Sequence, residues 1–102
     1  METLAEILKS ARDNKSLLLR EVAAAIGADT AMISKFEKGE RKPTRNQISL
    51  LAKFLEINEK QLLIIFLSDK VANELVNEDV AREALEAALE KVDFLQRKQT
   101  FR

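Results

Sequence analysis

The chain has 102 residues, enough for one compact core, and its 33% of charged residues sum to a formal net charge of zero. It contains no cysteine, which excludes disulfides and thiolate metal sites and suits the reducing cytoplasm, where we expect the protein to act. The longest uninterrupted apolar run, residues 62–67, is far too short to span a bilayer as a helix. We therefore expect no membrane association and no signal segment.

Apolar residues recur at helical spacing along most of the chain, and glycine and proline are scarce, so we predict an all-α fold. The first helix is expected over residues 2–13 and the second over residues 20–26. Asp29 should cap the third helix, residues 30–38, because its carboxylate can accept from the first free N–H groups. Gly39 should end that helix in the left-handed conformation that glycine adopts without strain.

Three further helices are predicted after the single proline, since the residue before a proline disfavours helical backbone. Thr44 should cap a fourth helix that ends near Leu55, and Asn58 should cap a fifth. Asn77 should cap a sixth helix, residues 78–98. The residues predicted to face inward in the first four helices are Leu4, Ile7, Leu8, Ala11, Val22, Ala23, Ile26, Met32, Ile33, Phe36, Ile48, Leu51, Ala52 and Leu55.

Charge is unevenly distributed along the chain although it sums to zero. Residues 30–53 carry six cations and two anions, whereas residues 58–102 carry seven cations and nine anions. A surface that binds phosphates needs local rather than overall positive charge. The basic segment therefore favours a nucleic-acid partner, and an ordinary solvated helix surface is the alternative explanation of the same charges.

Residues 17–43 carry the most specific pattern of the chain, LLLREVAAAIGADTAMISKFEKGERKP. Two short helices flank a Gly-Ala-Asp break, and the second leads into a basic loop that contains glycine. The motifs are Glu21-Val22-Ala23, Ile26-Gly27, Ile33-Ser34-Lys35, Glu37-Lys38-Gly39 and Arg41-Lys42-Pro43, followed by Leu51-Ala52 and Leu55. With these motifs, residues 2–67 resemble the Cro/C1-type helix-turn-helix family, or XRE family, of phage repressors and bacterial regulators. The segment also resembles regulators encoded beside restriction–modification methyltransferases.

The resemblance implies an architecture and a function. The fold would be a five-helix, lambda-repressor-like DNA-binding domain in residues 1–67. Residues 68–102 would add a C-terminal helix, for which the apolar residues described below predict a role in dimerisation. The protein would be a transcriptional regulator that binds double-stranded DNA sequence-specifically and acts as a repressor or autoregulator. No cofactor or metal is expected, and a small-molecule effector is not expected because little of the chain lies outside this fold.

In the geometry that the resemblance implies, the N-terminal end of the third helix enters the major groove. The face opposite Ile33 and Phe36 supplies the candidate base contacts, which are Thr30, Ala31, Ser34 and Lys35. A lysine can donate to guanine O6 and N7, and an alanine methyl can meet a thymine methyl. The candidate phosphate contacts are Arg20, Lys38, Arg41, Lys42 and Arg45.

Two positions need separate treatment within the family pattern. Leu18-Leu19 stands where many relatives carry Thr-Gln, so the phosphate contact of that glutamine cannot be assigned to Leu19. Arg20 is the nearest substitute, although it points about 100° away around the helix. Glu37 matches the family, but a carboxylate facing DNA would repel phosphate. We therefore expect Glu37 to pair with Arg41 or another nearby cation.

Two segments near the C-terminus are more apolar than one small core requires. Residues 62–67 are apolar on every side of a helix, which indicates burial from more than one direction. The last predicted helix carries a long apolar stripe. We expect both segments to form a homodimer that matches a palindromic operator, and folding of the stripe onto its own domain is the alternative. The interface candidates are Ile64, Ile65, Leu67, Leu85, Leu89 and Val92.

Catalysis is not expected from this composition. Without histidine, cysteine, tyrosine or tryptophan, the chain lacks the usual general base near neutral pH and the strongest nucleophile. Glu78 and Asp79 fit the first turn of a helix, where the helix dipole favours carboxylates. The alternative function is an antitoxin-like or adaptor module of the same fold, which would bind a protein partner.

Overall fold

Helix α1 (Leu4–Asn14) begins the fold in the computed structural model, which describes residues 2–100. Thr3 caps this helix, because its hydroxyl accepts from the Glu6 N–H at 3.3 Å. The Glu6 carboxylate in turn accepts from the Thr3 N–H at 2.9 Å. These reciprocal bonds start the helix two residues later than predicted. The pKa of Glu6 lies below its ordinary value because the Thr3 N–H and hydroxyl donate to its carboxylate.

Five further helices follow, and all regular structure within the described residues is helical, as predicted. They are α2 (Leu19–Ala25), α3 (Thr30–Lys38), α4 (Arg45–Leu55), α5 (Glu59–Leu75) and α6 (Ala81–Thr100). Asp29 caps α3, since its Oδ1 accepts from the Met32 N–H at 2.8 Å. Thr44 caps α4 and Asn58 caps α5 through equivalent bonds to Gln47 and Gln61.

The core lies among the first five helices, with α1 and α2 packed against α3, and α2 against α4. The predicted inward-facing residues of the first four helices are confirmed. Eleven of them are buried: Leu4, Leu8, Val22, Ala23, Ile26, Ile33, Phe36, Ile48, Leu51, Ala52 and Leu55. The other three, Ile7, Ala11 and Met32, are partly buried and pack against this core. Helix α5 adds Leu62 and Phe66 to this core.

The start of α6 differs from the prediction. Asn77 does not cap it, because the helix begins at Ala81 and residues 76–80 are not helical. The N–H of Glu78 donates to the Leu75 carbonyl at 2.9 Å, which closes a turn directly after α5. The predicted placement of Glu78 and Asp79 in the first helical turn is therefore wrong.

The described residues divide into two compact units, of which the first ends at Lys70 and the second begins at Val71. The second unit contains the end of α5, the turns and α6. Met1, Phe101 and Arg102, the outer ends of the two predicted domains, lie outside the described residues. None of the described helices combines the length and apolar character needed to span a membrane.

An ion pair connects α1 to α3 inside the first unit. Arg12 donates from Nε to Glu37 Oε2 at 2.7 Å and from Nη2 to Glu37 Oε1 at 3.1 Å. Only 16% of the Arg12 side chain and 7% of the Glu37 side chain are exposed. The hydrogen bonds to Glu37 hold the pKa of Arg12 above its ordinary value. This two-point contact fixes the direction of α3 relative to α1.

A second ion pair is largely open to solvent. Lys15 Nζ lies 2.8 Å from Glu56 Oε1, with 34% of the lysine side chain and 76% of the glutamate side chain exposed. The hydrogen bond and positive charge of Lys15 lower the pKa of Glu56. Because exposed pairs contribute little to stability, Lys15 serves as a matched control for Arg12.

We predict that Arg12→Ala lowers the free energy of unfolding by about 3 kcal/mol, because it leaves a buried carboxylate without its cation. Lys15→Ala should cause a much smaller loss. Urea unfolding followed by circular dichroism measures both variants. Equal losses would show that the Arg12–Glu37 pair is energetically no more than a surface contact.

Candidate nucleic-acid interface

Helix α3 presents a polar outer face opposite its buried one. Ile33 and Phe36 are each 2% exposed and fix the rotation of the helix against the core. Of the four candidate base contacts, Thr30, Ala31 and Lys35 are exposed and Ser34 is half-buried. Ala31, Lys35 and Lys38 recur at spacings of four and three, so they share the outermost strip of the helix.

The loop after α3 displays two cations between two fixed points. Gly39 has a φ of 74°, and the N–H of Glu40 donates back to the Lys35 carbonyl at 2.9 Å, which closes the helix end. At the far end of the loop, Pro43 is buried. Arg41 and Lys42 stand exposed between these points. The loop therefore holds its basic side chains outward from a constrained backbone.

The candidate phosphate contacts are all exposed: Arg20, Lys38, Arg41, Lys42 and Arg45. Within residues 2–100, neither these five cations nor Lys35 form an ion pair with a carboxylate. Unpaired surface cations keep their full capacity to attract an anionic partner. No group of acidic side chains among the described residues is arranged to bind a metal.

Glu37 is the carboxylate of α3 that could have opposed this positive charge. Its pairing with a cation is confirmed, but the partner is Arg12 of α1 rather than Arg41 of the adjacent loop. The sequence analysis missed Arg12. The available signal was that Glu37 lies one turn after the buried Ile33, which places its carboxylate at the core boundary, where a buried charge needs a partner.

The N-terminal end of α2 lacks the polar side chains of the family pattern. Leu18 is 48% exposed, and its N–H donates to the Glu21 carboxylate at 2.8 Å. That N–H is therefore already satisfied within the chain. Leu19 packs partly against the core, which leaves Arg20 as the exposed side chain of this turn.

The predicted interface residues divide into two groups. Ile65 is partly buried against the core of its own chain, so part of the Ile65 side chain already contacts the monomer core. The other five are exposed: Ile64, Leu67, Leu85, Leu89 and Val92.

A helix-turn-helix family model matches residues 8–62, more than half of the chain. The chain belongs to the helix-turn-helix family. The resemblance to the Cro/C1-type helix-turn-helix family is thereby confirmed, whereas the resemblance to regulators encoded beside restriction–modification methyltransferases stays a prediction. No curated protein sequence matches the chain.

Several solved structures share the fold of this family member. The P22 c2 repressor in complex with a synthetic operator aligns with a TM-score of 0.58 and 19% identity, covering 61% of this chain and 94% of the repressor. The clp gene regulator ClgR from Corynebacterium glutamicum aligns with a TM-score of 0.56 and 27% sequence identity, covering 83% of this chain and 88% of the regulator. A chain of the SinR protein/SinI protein complex aligns with a TM-score of 0.55 and 16% sequence identity, covering 93% of this chain and 99% of that chain.

We predict that Gly39→Ala lowers the free energy of unfolding by about 1–2 kcal/mol, because a β-carbon is strained at positive φ. Steric contact is not the cause, since the new Cβ would lie 3.9 Å from Ala5 Cβ. Gly39→Asn should cost less, because asparagine tolerates this conformation. Thermal unfolding measures both, and an alanine variant as stable as the wild type would contradict the strain argument.

Proposed function

We propose that this protein is a sequence-specific DNA-binding transcriptional regulator, acting as a repressor or autoregulator. Helix α3 enters the major groove with its outer face toward the bases. Thr30, Ala31, Ser34 and Lys35 contact base edges there. The phosphate contacts come from Arg20, Lys38, Arg41, Lys42 and Arg45 on either side.

The observation that carries this proposal is the separation of charge across α3. Its acidic residue, Glu37, is neutralised inside by Arg12, while Lys35, Lys38 and the loop cations stay outside without carboxylate partners among the described residues. An exposed basic helix face with a basic loop at its end matches the phosphate backbone beside a groove. The resemblance to a repressor structure that contains an operator supports the same function.

We further propose that the regulator binds a palindromic operator as a homodimer. Residues 1–67 form the DNA-binding domain and residues 68–102 the dimerisation element. The exposed apolar side chains of α5 and α6 supply the contact, because monomeric proteins rarely leave such stripes in water. A two-fold dimer presents two α3 helices to half-sites related by the same symmetry.

Selection of bound sequences from a random duplex library tests the proposal directly. Enrichment of a palindrome would support a dimeric, sequence-specific regulator, and its half-site spacing would report the separation of the two α3 helices. No enrichment, with binding no stronger than background, would contradict the proposed function.

We predict different effects for two lysines of this surface. Lys35→Ala should lose about tenfold in affinity for the selected site and little for random duplex, because it removes a base contact. Lys42→Ala should weaken both duplexes alike and reduce the salt slope of binding by about one unit. Fluorescence anisotropy over a salt series measures both quantities. Equal losses of Lys35→Ala on both duplexes would make Lys35 a phosphate contact.

We predict that Leu89→Asp yields a monomer, because it introduces a charge into the proposed interface at a side chain that is 64% exposed in the single chain. Ala87→Asp is the matched control, since Ala87 is exposed and lies off the apolar stripe. Sedimentation should give a monomer for the first variant and a dimer for the second, with helix content retained in both. Loss of helix content in Leu89→Asp would instead assign the residue to the monomer core.

A protein-interaction module is the second candidate function. The exposed apolar side chains would also suit a protein partner, and the likeness to the SinR protein/SinI protein complex favours considering it. Such a module gives no reason for unpaired cations around α3. The library selection separates the candidates, because an interaction module would enrich no duplex.

A further inference from the structure

Two other helices begin beside α3, one along each edge of its buried face. Ile33 and Phe36 form that face. With a rotation of about 100° per residue, Met32 and Glu37 lie on opposite sides of it. Met32 meets the start of α4, since its sulfur lies 3.6 Å from Gln47 Nε2. We call this edge of α3 the α4 side.

The opposite edge of α3 adjoins the start of α2. The Arg12 guanidinium that binds Glu37 also donates from Nη1 to the Leu17 carbonyl at 2.9 Å. The N–H of the same peptide group, which belongs to Leu18, donates to Glu21 Oε1 at 2.8 Å. One guanidinium and one peptide group therefore connect α3 to the Glu21 carboxylate. We call this edge the α2 side.

The two sides of α3 carry opposite net charge. On the α4 side, residues 40–45 contain three cations and one carboxylate, a net charge of +2. On the α2 side, the ion-pair group and the first turn of α2 contain two cations and three carboxylates, a net charge of −1: Arg12, Asp13, Arg20, Glu21 and Glu37. Glu21 is exposed and forms no ion pair within residues 2–100, so no contact with a cation neutralises its charge.

This difference in charge has a consequence for a bound duplex, because a helix in the major groove lies between two phosphate backbones. In the proposed complex, one backbone faces the α4 side of α3 and the other faces the α2 side. The cations of the α4 side attract the first backbone. The Glu21 carboxylate repels the second backbone and offsets the attraction of the neighbouring Arg20.

We infer that Glu21 limits the affinity of this protein for duplex DNA, so that the duplex is held from the α4 side of α3. The inference rests on the proposed function and adds to it a residue that weakens DNA binding. Because the phosphate backbone is the same in every sequence, this effect does not depend on the sequence of the duplex.

The charge of Glu21 can be separated from its role at the start of α2. At the start of α4, Gln47 holds the equivalent position, and its Oε1 accepts from the Thr44 N–H at 2.9 Å. A glutamine at position 21 can therefore accept from the Leu18 N–H without carrying a charge. Glu21→Gln removes the repulsion and keeps the helix start, and Gln47→Glu introduces a matching carboxylate on the α4 side.

We expect Glu21→Gln to bind the selected duplex and a random duplex about threefold more tightly at low salt, because the repulsion of phosphate is lost. The gain should shrink as salt rises, since salt screens exposed charges. Gln47→Glu should weaken the binding of both duplexes. Glu90→Gln changes the net charge equally in the second unit and should raise affinity much less. Fluorescence anisotropy over a salt series measures these affinities, and circular dichroism checks the fold of each variant.

Each outcome supports or overturns the inference. A salt-dependent gain for Glu21→Gln together with a loss for Gln47→Glu would support it, and should one variant unfold, the other decides. With a wild type that still binds its selected palindrome, four results would overturn the inference and leave the proposed function intact. These are no gain in a folded Glu21→Gln, no loss in a folded Gln47→Glu, a gain that salt leaves unchanged, and an equal gain for Glu90→Gln. A wild type that binds no duplex would contradict the proposed function and the inference together.

Discussion

The ion pair between Arg12 and Glu37 is the contact on which the arrangement of the candidate surface depends. One guanidinium joins three parts of the chain, since Nε and Nη2 bind the carboxylate of α3 and Nη1 donates to the Leu17 carbonyl at 2.9 Å. Arginine suits this position because its planar fork meets a carboxylate at two points and stays charged. The pair therefore sets both the direction of α3 and the path of the chain into α2.

Placing Glu37 inside has an electrostatic consequence outside. With that carboxylate neutralised, the outer strip of α3 keeps the positive charge of Lys35 and Lys38. The apolar contacts of Ile33 and Phe36 prevent the helix from rotating this strip away from solvent. One side of a nine-residue helix thus stabilises the fold, while the opposite side remains available for a partner.

Local signals in the sequence were sufficient for most of the fold. The caps at Asp29 and Thr44 were predictable because each side chain and its bonded N–H lie three residues apart. The Arg12–Glu37 pair joins residues 25 positions apart, and pattern analysis contains no information on which cation meets a buried carboxylate. The prediction that Asn77 caps α6 was wrong, because the chain first closes a turn in which the Glu78 N–H donates to the Leu75 carbonyl. The outer face of α3 followed from helical spacing, whereas only the folded structure shows that Lys35 and Lys38 have no carboxylate partner within residues 2–100.

The two faces of α5 connect this recognition surface to the proposed assembly. Leu62 and Phe66 belong to the core of the first unit, whereas Ile64 and Leu67 on the same helix remain exposed. In the proposed function, a single α3 would contact few base pairs, so one copy would discriminate only weakly between sequences. Two copies held together would bind two half-sites at once, and the second contact becomes effectively intramolecular. In the proposed dimer, the exposed apolar residues on α5 and α6 and the exposed cations near α3 would serve the same requirement, because association would raise the specificity that one basic helix lacks.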